Sequence, residues 1–498
     1  MEINQIHANL ITTGHIHNPS SISKIILNLV FTRHKPSVGF ARHLFFECNY
    51  NDPFIWNAII RSCSHGNDPE NAFQVFVLML VRGVLADAYS FSLVLKSCSR
   101  LQLLSKGIQI HGLMLKLGFG SDLFLQNCLL CICAKNEKMG LAQNLFDKMP
   151  QRDVVSWACM VDGYARVGNV DVARYFFDAM PRKDVISCNA MMAGYVSNGR
   201  YDEALNVFDE MLASAFDLSP DRVTLLTAFS AVTQLGCIIK GIEIHSYIEK
   251  KGFVISGKLG VALINMYAKC GNIEKAMHVF ENVNEKNIDH WNAMIGGLAI
   301  HGRGDLAFDL FMEMERLSIK PDDITFIAVL HACGHSGMMK EGLICFEIMR
   351  RVHKIVPKMQ HYGCVVDILS RAGHIEEATN FVKEMPIKPN DVVWRTLLSG
   401  CANHENLNVG EPVAKRLIGM DFKDSSSYVL LSNMYAQFGH WEYVRKVRAM
   451  MKERDLSKVP GCSWIELEGT VHEFFVGSAL EDHEAREIYS TVSGSSEL

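Results

Sequence analysis

The 498-residue chain contains no run of about 18 consecutive apolar residues, which argues against a membrane-spanning helix. Its first residues lack a continuous apolar stretch closing on small side chains, so they do not read as a secretory signal. No Gly-rich phosphate loop and no nucleophile elbow occurs, and phosphate-cradling and serine-hydrolase chemistry therefore have no sequence support. Nor is there an excess of positive charge. Lys and Arg total 49 against 54 Asp and Glu, a formal charge of −5. That argues against a wholly basic, non-specific nucleic-acid binder but leaves room for a local basic stripe. Asp and Glu are absent between Ile3 and Phe46, where Lys24, Arg33, Lys35 and Arg42 stand. An acid-poor start suits organelle targeting; it equally suits a degenerate repeat.

What is abundant is apolar side chain, 49% of the chain, together with an odd count of 15 cysteines without framework spacing. The latter pattern points to free thiols in a reducing compartment. The apolar residues recur in a fixed phrase. Between Ile288 and Asp322, Trp291, Met294, Ile295 and Leu298 fall at i, i+3, i+4 and i+7, one face of a helix. Gly302 and Gly304 are expected to break that helix. Ala307, Leu310, Phe311 and Met314 repeat the spacing, and Pro321 closes the unit. Neither helix can bury its stripe alone, and the same unit is written along almost the whole chain.

A small residue opens the second helix of each unit: Ala72, Gly107, Ala142, Ala173, Ala204, Gly241, Ala276, Ala307, Gly342, Ala378 and Gly410. The steps between them are 35, 35, 31, 31, 37, 35, 31, 35, 36 and 32 residues. Four positions on, an aromatic often follows, as Phe76, Phe146, Phe208 or Phe311, and is expected in the core. Units parse as 53–87, 88–122, 123–153, 154–184, 185–221, 222–256, 257–287, 288–322, 323–358 and 359–390. Most close on Asp or Asn, which can N-cap the helix that follows. Residues 1–52 read as degenerate repeats. Two further helical pairs, 391–424 and 425–458, keep the period but change the text. Pro460-Gly461 marks a break, and CSWIELEGTVHEFFVG is expected to form a hairpin turning near Glu468-Gly469. The closing STVSGSSEL reads as disordered.

Helix–turn–helix units of this length also fit a 34-residue tetratricopeptide array. The ordered succession of lengths and the WNAMI…HG…A…F text instead resemble the plant pentatricopeptide repeat family, in its subclass mixing standard, long and short repeats. The text VVWRTLLSGC and YVLLSNMYAQFGHWEYVRKVR resembles that family's two extension motifs. PGCSWIELEGTVHEFFVG followed by HEAREIY resembles part of its E-plus segment. The resemblance implies an all-α, right-handed superhelical solenoid of helix-turn-helix repeats over 53–390. Extension motifs over 391–458 and a short irregular, partly β C-terminal appendage over 459–498 follow. It also implies that the array binds single-stranded organellar RNA, about one base per repeat, and that the extension supports site-specific C-to-U editing.

In the family, the fifth and last residues of a repeat form the reading pair. Carried over by position, this gives Asn57 with Asp87, Asn127 with Asp153, Asn189 with Asp221, and Asn292 with Asp322, each implying a pyrimidine. An Asn amide offers a donor and an acceptor to a base edge, and an ionised Asp offers acceptors. The alternative reading makes each Asp a simple N-cap and each Asn a helix-start residue. Ala158 with Asp184, Leu226 with Ser256, Val261 with Asn287 and Ile327 with Lys358 lack a readable pair. Apolar second positions such as Phe54, Val155 and Ile186 read either as base-sandwiching groups, which the family implies, or as core. Lys135, Arg166, Lys269 and Arg371 recur at the thirteenth position. They read either as a phosphate-facing stripe or as compensation of the helix dipole.

A zinc deaminase needs His-x-Glu and a downstream Pro-Cys-x-x-Cys. His374-Ile375-Glu376 matches the first by letter but sits at a repeat turn, and no Pro-Cys-x-x-Cys follows. Cys128 and Cys131, with Cys133 nearby, have no second pair to complete a metal site. The chain is therefore expected to be no enzyme, with no cofactor and no catalytic metal, and to recruit a deaminase-bearing partner protein. The organelle is expected to be the mitochondrion, with the chloroplast as alternative. RNA binding in splicing, stability or translation, and protein-only scaffolding, remain the competing readings.

Overall fold

The structure is a computed structural model that describes Phe45 and residues 52–66, 69–213, 218–420, 423–458, 461–467 and 470–475. The degenerate repeats and acid-poor segment expected before residue 52, and the tail after residue 475, fall outside the described residues save Phe45. Twenty-four helices and one two-stranded sheet occur among the described residues. None of these helices is long and apolar enough to cross a membrane.

The chain divides into two compact units, Met1–Thr227 and Ala228–Leu498. In the first, five helix pairs follow one another. They are α1 (Pro53–His65) with α2 (Pro69–Val81), α3 (Ala88–Arg100) with α4 (Leu104–Lys116), and α5 (Leu123–Lys135) with α6 (Met139–Lys148). Then come α7 (Val154–Arg166) with α8 (Val170–Ala179) and α9 (Val185–Ser197) with α10 (Tyr201–Leu212). The division falls inside α11 (Arg222–Leu235). First helices pack on first helices, α1 on α3, α3 on α5, α5 on α7 and α7 on α9, and the second helices α2, α4, α6 and α8 pack on the first helices that follow them. That is the layer arrangement of an α-solenoid.

The second unit repeats the scheme. It holds α12 (Ile238–Lys250), α13 (Gly257–Lys269), α14 (Ile273–Asn282), α15 (Ile288–Ile300), α16 (Gly304–Arg316) and α17 (Asp323–His335). It continues with α18 (Met339–Arg351), α19 (Met359–Arg371), α20 (Ile375–Glu384), α21 (Asp391–Asn403), α22 (Leu407–Met420), α23 (Ser425–Gln437) and α24 (Trp441–Glu453). Beyond them, β1 (Cys462–Leu467) and β2 (Thr470–Phe475) pair antiparallel, with Leu467 opposite Thr470. The hairpin expected from the β-prone text is present.

Local chemistry explains where the helices start and stop. The first helix of each unit begins on the unit's first residue, and in most units the preceding Asp or Asn caps it; α13 and α19 instead follow Ser256 and Lys358, which make no side-chain cap bond. Asp87, Asp153, Asp184 and Asp322 each accept the N–H of the residue three ahead. At the end of α15, Gly302 adopts φ of 64°, and the N–H of Arg303 reaches back to the Leu298 carbonyl at 2.9 Å. This left-handed C-terminal stop favours glycine. Gly304, expected to share in that break, is instead the first residue of α16.

The core is a periodic aromatic contact. Phe45, Phe146 and Phe280 meet Trp56, Trp157 and Trp291 edge-to-face, at centroid separations of 4.6, 4.9 and 5.0 Å. Phe76–Phe91 and Phe311–Phe326 repeat the contact at 5.4 Å. Each pair joins the second helix of one unit to the fourth residue of the next. Such pairs add about 0.5–1.5 kcal/mol beyond burial. The small residue opening the second helix is matched in size by its neighbour. Where it is glycine, as at Gly107, Gly241, Gly342 and Gly410, an added Cβ would meet Ile132, Met266, Ile368 and Met434. Each of these is the tenth residue of the following first helix. Where it is Ala142, Ala173 or Ala276, that tenth residue is Gly163, Gly194 or Gly297. An added Cβ at Gly194 or Gly297 would meet Ala165 or Ala268 on the preceding first helix, so these glycines set the close approach of neighbouring first helices.

Candidate nucleic-acid interface

Each of the four Asn–Asp pairs is brought together by the stacking of consecutive units. Asn57 donates its amide to both carboxylate oxygens of Asp87, at 3.2 and 3.3 Å. Asn127 donates to Asp153 Oδ1 at 2.9 Å, Asn189 to Asp221 Oδ1 at 3.1 Å, and Asn292 to Asp322 Oδ1 at 3.1 Å. The last three converge on Oδ1, leaving Oδ2 as a further acceptor.

A third residue closes the network. The hydroxyls of Ser90, Ser156, Thr224 and Thr325 donate to the Asn oxygens at 2.6, 2.6, 2.7 and 2.7 Å. Their own backbone N–H groups donate to the Asp carboxylate at 2.7 to 2.9 Å. The four Ser and Thr side chains are fully buried. The Asp is therefore an N-cap and also the partner of an Asn one unit back, and the two readings left open by the sequence coexist. Sequence reasoning missed the hydroxyls. Their signal is the capping spacing Asp-x-x-Ser/Thr, as in Asp153-Val-Val-Ser156.

The unit with Ala158 is an internal control. There, the Ser187 hydroxyl finds no Asn and turns to the carbonyl of Asp184 at 2.9 Å. Position three also carries His361, whose Nδ1 lies 2.9 Å from the Lys358 N–H while Nε2 lies 2.9 Å from the Asp323 carbonyl. With Nδ1 accepting from an N–H, Nε2 must be the donor.

Electrostatics follows from this wiring. Burial raises the carboxyl of Asp153, but bonds from the Ser156 N–H, the Asn127 amide and the Ser156 hydroxyl outweigh it and hold it below the usual range. Asp87 and Asp221 are lowered in the same way, through Ser90 with Asn57 and through Thr224 with Asn189. The pairs present a fixed anion beside an oriented amide. The amides themselves are nearly covered: Asn57, Asn127 and Asn292 are at most 9% exposed. In the Asn127, Asn189 and Asn292 pairs one amide N–H is bonded, which leaves the other N–H and one lone pair of the oxygen for a ligand at the rim.

The second positions do not belong to the core. Phe54, Phe124, Val155 and Ile186 are between 54% and 70% exposed. Val223 and Ile324 stand exposed at the same place in their units. These are flat or branched apolar groups displayed three residues before the fifth position in six units; Lys258, Asp289 and Gln360 hold that place in units 257–287, 288–322 and 359–390.

The thirteenth positions divide. Lys135, Arg166, Lys269 and Arg371 are each the last residue of a first helix, where a cation suits the helix dipole. Arg166 pairs with Asp162 at 2.7 Å and Arg371 with Asp367 at 2.8 Å. Those two guanidinium groups are partly neutralised on their own helices. Lys135 lines a cleft of about 490 Å³ with Arg61, His65, Lys96, Tyr89 and Phe124, a basic and aromatic lining without a carboxylate. His374 lies at the start of α20, 3.0 Å from Glu377. Among the described residues, no group of three or more His, Cys, Asp or Glu side chains could hold a metal ion.

Family models match along the same units. The PPR repeat family model covers 51–100, 183–233 and 286–335, and the PPR repeat model covers 127–154, 155–185, 261–288, 324–352 and 361–388. The E motif model covers 404–466. A chloroplastic pentatricopeptide repeat-containing protein of Arabidopsis thaliana is 46% identical, over 96% of this chain and 95% of its own length. The chain belongs to the pentatricopeptide repeat family. A mitochondrial member from the same plant is 39% identical over 91% of this chain and 68% of its own length. The crystal structure of the maize pentatricopeptide repeat protein PPR10 has the same helical solenoid fold, with a TM-score of 0.57, 17% identity, and coverage of 88% of this chain and 74% of that one. The family expectation drawn from unit order and text is met, including an E motif after the array.

Proposed function

We propose that this chain is a sequence-specific binder of single-stranded organellar RNA that selects cytidines for C-to-U editing and recruits a deaminase in trans. The observation that carries the reading is the repeated Asn–Asp–Ser/Thr network, with an exposed apolar residue three positions before Asn57, Asn127 and Asn189; Asp289 holds that place before Asn292. Bases slot between successive second-position side chains, and each network offers its free N–H, lone pair and carboxylate oxygen to one base edge. The pairs Asn57/Asp87, Asn127/Asp153, Asn189/Asp221 and Asn292/Asp322 read pyrimidines. Lys135 and Lys269 face phosphates, as do Arg166 and Arg371 once their ion pairs are shared.

Editing rather than RNA binding alone is favoured by the E motif that follows mixed-length repeats. The chain itself acts as an adaptor, not an enzyme, and its partner supplies the deaminase. An organelle is supported by relatives named chloroplastic and mitochondrial, with the mitochondrion as the compartment read from the sequence and the chloroplast as alternative.

The test is organellar transcriptome sequencing with and without the protein. Counting one base per repeat, loss of editing is expected at cytidines with pyrimidines roughly six, nine, eleven and thirteen nucleotides upstream. Intact editing with altered splicing or transcript abundance would move the function to RNA processing. Editing by the purified chain alone would overturn recruitment.

A further inference from the structure

α17 carries two histidines one helical turn apart on its exposed side, His331 and His335. Their Nε2 atoms lie 3.0 Å from each other, and the ring centroids are 4.3 Å apart. Neither ring is part of the core, and neither belongs to an Asn–Asp network. Residues four apart on a helix are neighbours, and two histidines at this spacing can close on one ion. At Zn–N bonds of about 2.0–2.1 Å, two imidazoles on one ion stand about 3.0 Å apart at a right angle and about 3.4 Å apart at a tetrahedral angle. The pair stands at the right-angle separation, and a slight opening of the two rings brings it to the tetrahedral one.

We propose that His331 and His335 form a two-imidazole binding site for a divalent transition-metal ion, Zn²⁺ above all.

The surroundings leave room for such an ion. In the preceding unit the position aligned with His331 is Gly296, where an added Cβ would meet nothing within 4 Å. In the following unit it is Asp367, bonded to Arg371 at 2.8 Å. Burial first, then the neighbouring His335, holds the His331 imidazole below its usual range; Asp367 favours a positive charge there and Arg371 opposes it. Among the described residues no third protein ligand reaches the ion, so water or an incoming donor completes its coordination. Both rings must offer Nε2 as a lone pair. The ring that donates in the metal-free pair therefore carries its proton on Nδ1 once the ion is bound, and no net proton is released from a neutral pair. His331 and His335 continue the stripe that starts at the exposed Ile324, so the ion would sit on the face that carries the second-position residues. In this unit Ile327 replaces the reading Asn.

The test uses the full chain, stripped with a chelator and titrated with NiCl₂ and separately with ZnCl₂ by calorimetry, with ions counted by native mass spectrometry. Ni²⁺ suits imidazole better than the thiols of the many cysteines and limits binding elsewhere. The wild type is expected to bind one ion more than His331→Ala and one more than His335→Ala. A His374→Ala control is expected to match the wild type. The two test residues are exposed, so circular dichroism and melting are expected to be unchanged. Equal stoichiometry and affinity in the wild type and both variants would overturn the site. The readout involves no RNA, so it stands or falls separately from the RNA-binding reading.

Discussion

Asn292 and Asp322 are 30 residues apart, yet the Asn292 amide donates to Asp322 Oδ1 at 3.1 Å while Thr325 donates to Asn292 Oδ1 at 2.7 Å. Two consecutive helix pairs are thereby tied through the residue that starts the second. In the unit that lacks the Asn, Asp184 and Ser187 retain their cap but bond only each other. The pair is thus an addition to an ordinary capping box.

That comparison predicts a gain of function. Ala158→Asn places an amide opposite Asp184 and Ser187, in the setting already occupied by Asn127 and Asn189. Stability is expected to change by no more than about 1 kcal/mol, the net worth of such a bond. Binding assays on RNAs varied at the single matching position are expected to show a new pyrimidine preference there and nowhere else.

Phe124 lies open at the second position of its unit. Phe124→Ala is expected to leave the melting midpoint nearly unchanged, as exposed positions do. It is expected to weaken single-stranded RNA binding by about 5- to 150-fold, the equivalent of about 1–3 kcal/mol of lost stacking. Filter binding alongside thermal melting checks both arms.

The lowered carboxyl of Asp153 gives stability a direction with pH. A folded-state value below the unfolded one, near 3.9, contributes stability above that value and loses it as pH falls through the folded one. Ser156→Ala removes a buried hydroxyl that serves both Asn127 and Asp153, at a cost of about 1–3 kcal/mol near neutral pH. Urea denaturation is expected to show a constant deficit between about pH 5 and 7. The deficit narrows below about pH 4, as Asp153 protonates in both proteins.

The joint between units is predicted to be coupled. A Cβ on Gly342 would stand 2.6 Å from Ile368 Cδ1, and Gly342→Ala is expected to cost about 1–3 kcal/mol by overpacking. Ile368→Val deletes that very methyl. In a double-mutant cycle the pair is expected to lose less than the sum of the two single changes, measured by chemical denaturation.

Much of this was legible before any coordinates. The helix starts follow from Asp and Asn closing each unit, and the buried phenylalanines follow from their place four residues after a small one. Other features depend on neighbours in space. Periodicity placed Phe54 and Ile186 on helices but not on a face, because exposure depends on which helix covers them. The hydroxyl of Thr325 went unread, since its bond to Asn292 reaches into the unit before. Arg371 read as a phosphate-facing or dipole-compensating cation, and its pairing with Asp367, four residues earlier, went unread. Gly304 looked like Gly302, and only backbone geometry separates a helix stop from a helix start.

The central claim is that the Asn–Asp networks read bases. Its most direct measurement is the affinity of the purified chain, and of Asn292→Ala, for a single-stranded RNA carrying a pyrimidine or a purine at the position facing Asn292. The account predicts that the wild type prefers the pyrimidine by about 10-fold or more, the scale of one good polar contact, and that Asn292→Ala binds both equally. Equal affinity of the wild type for the two RNAs, or an unchanged preference in the variant, would contradict it.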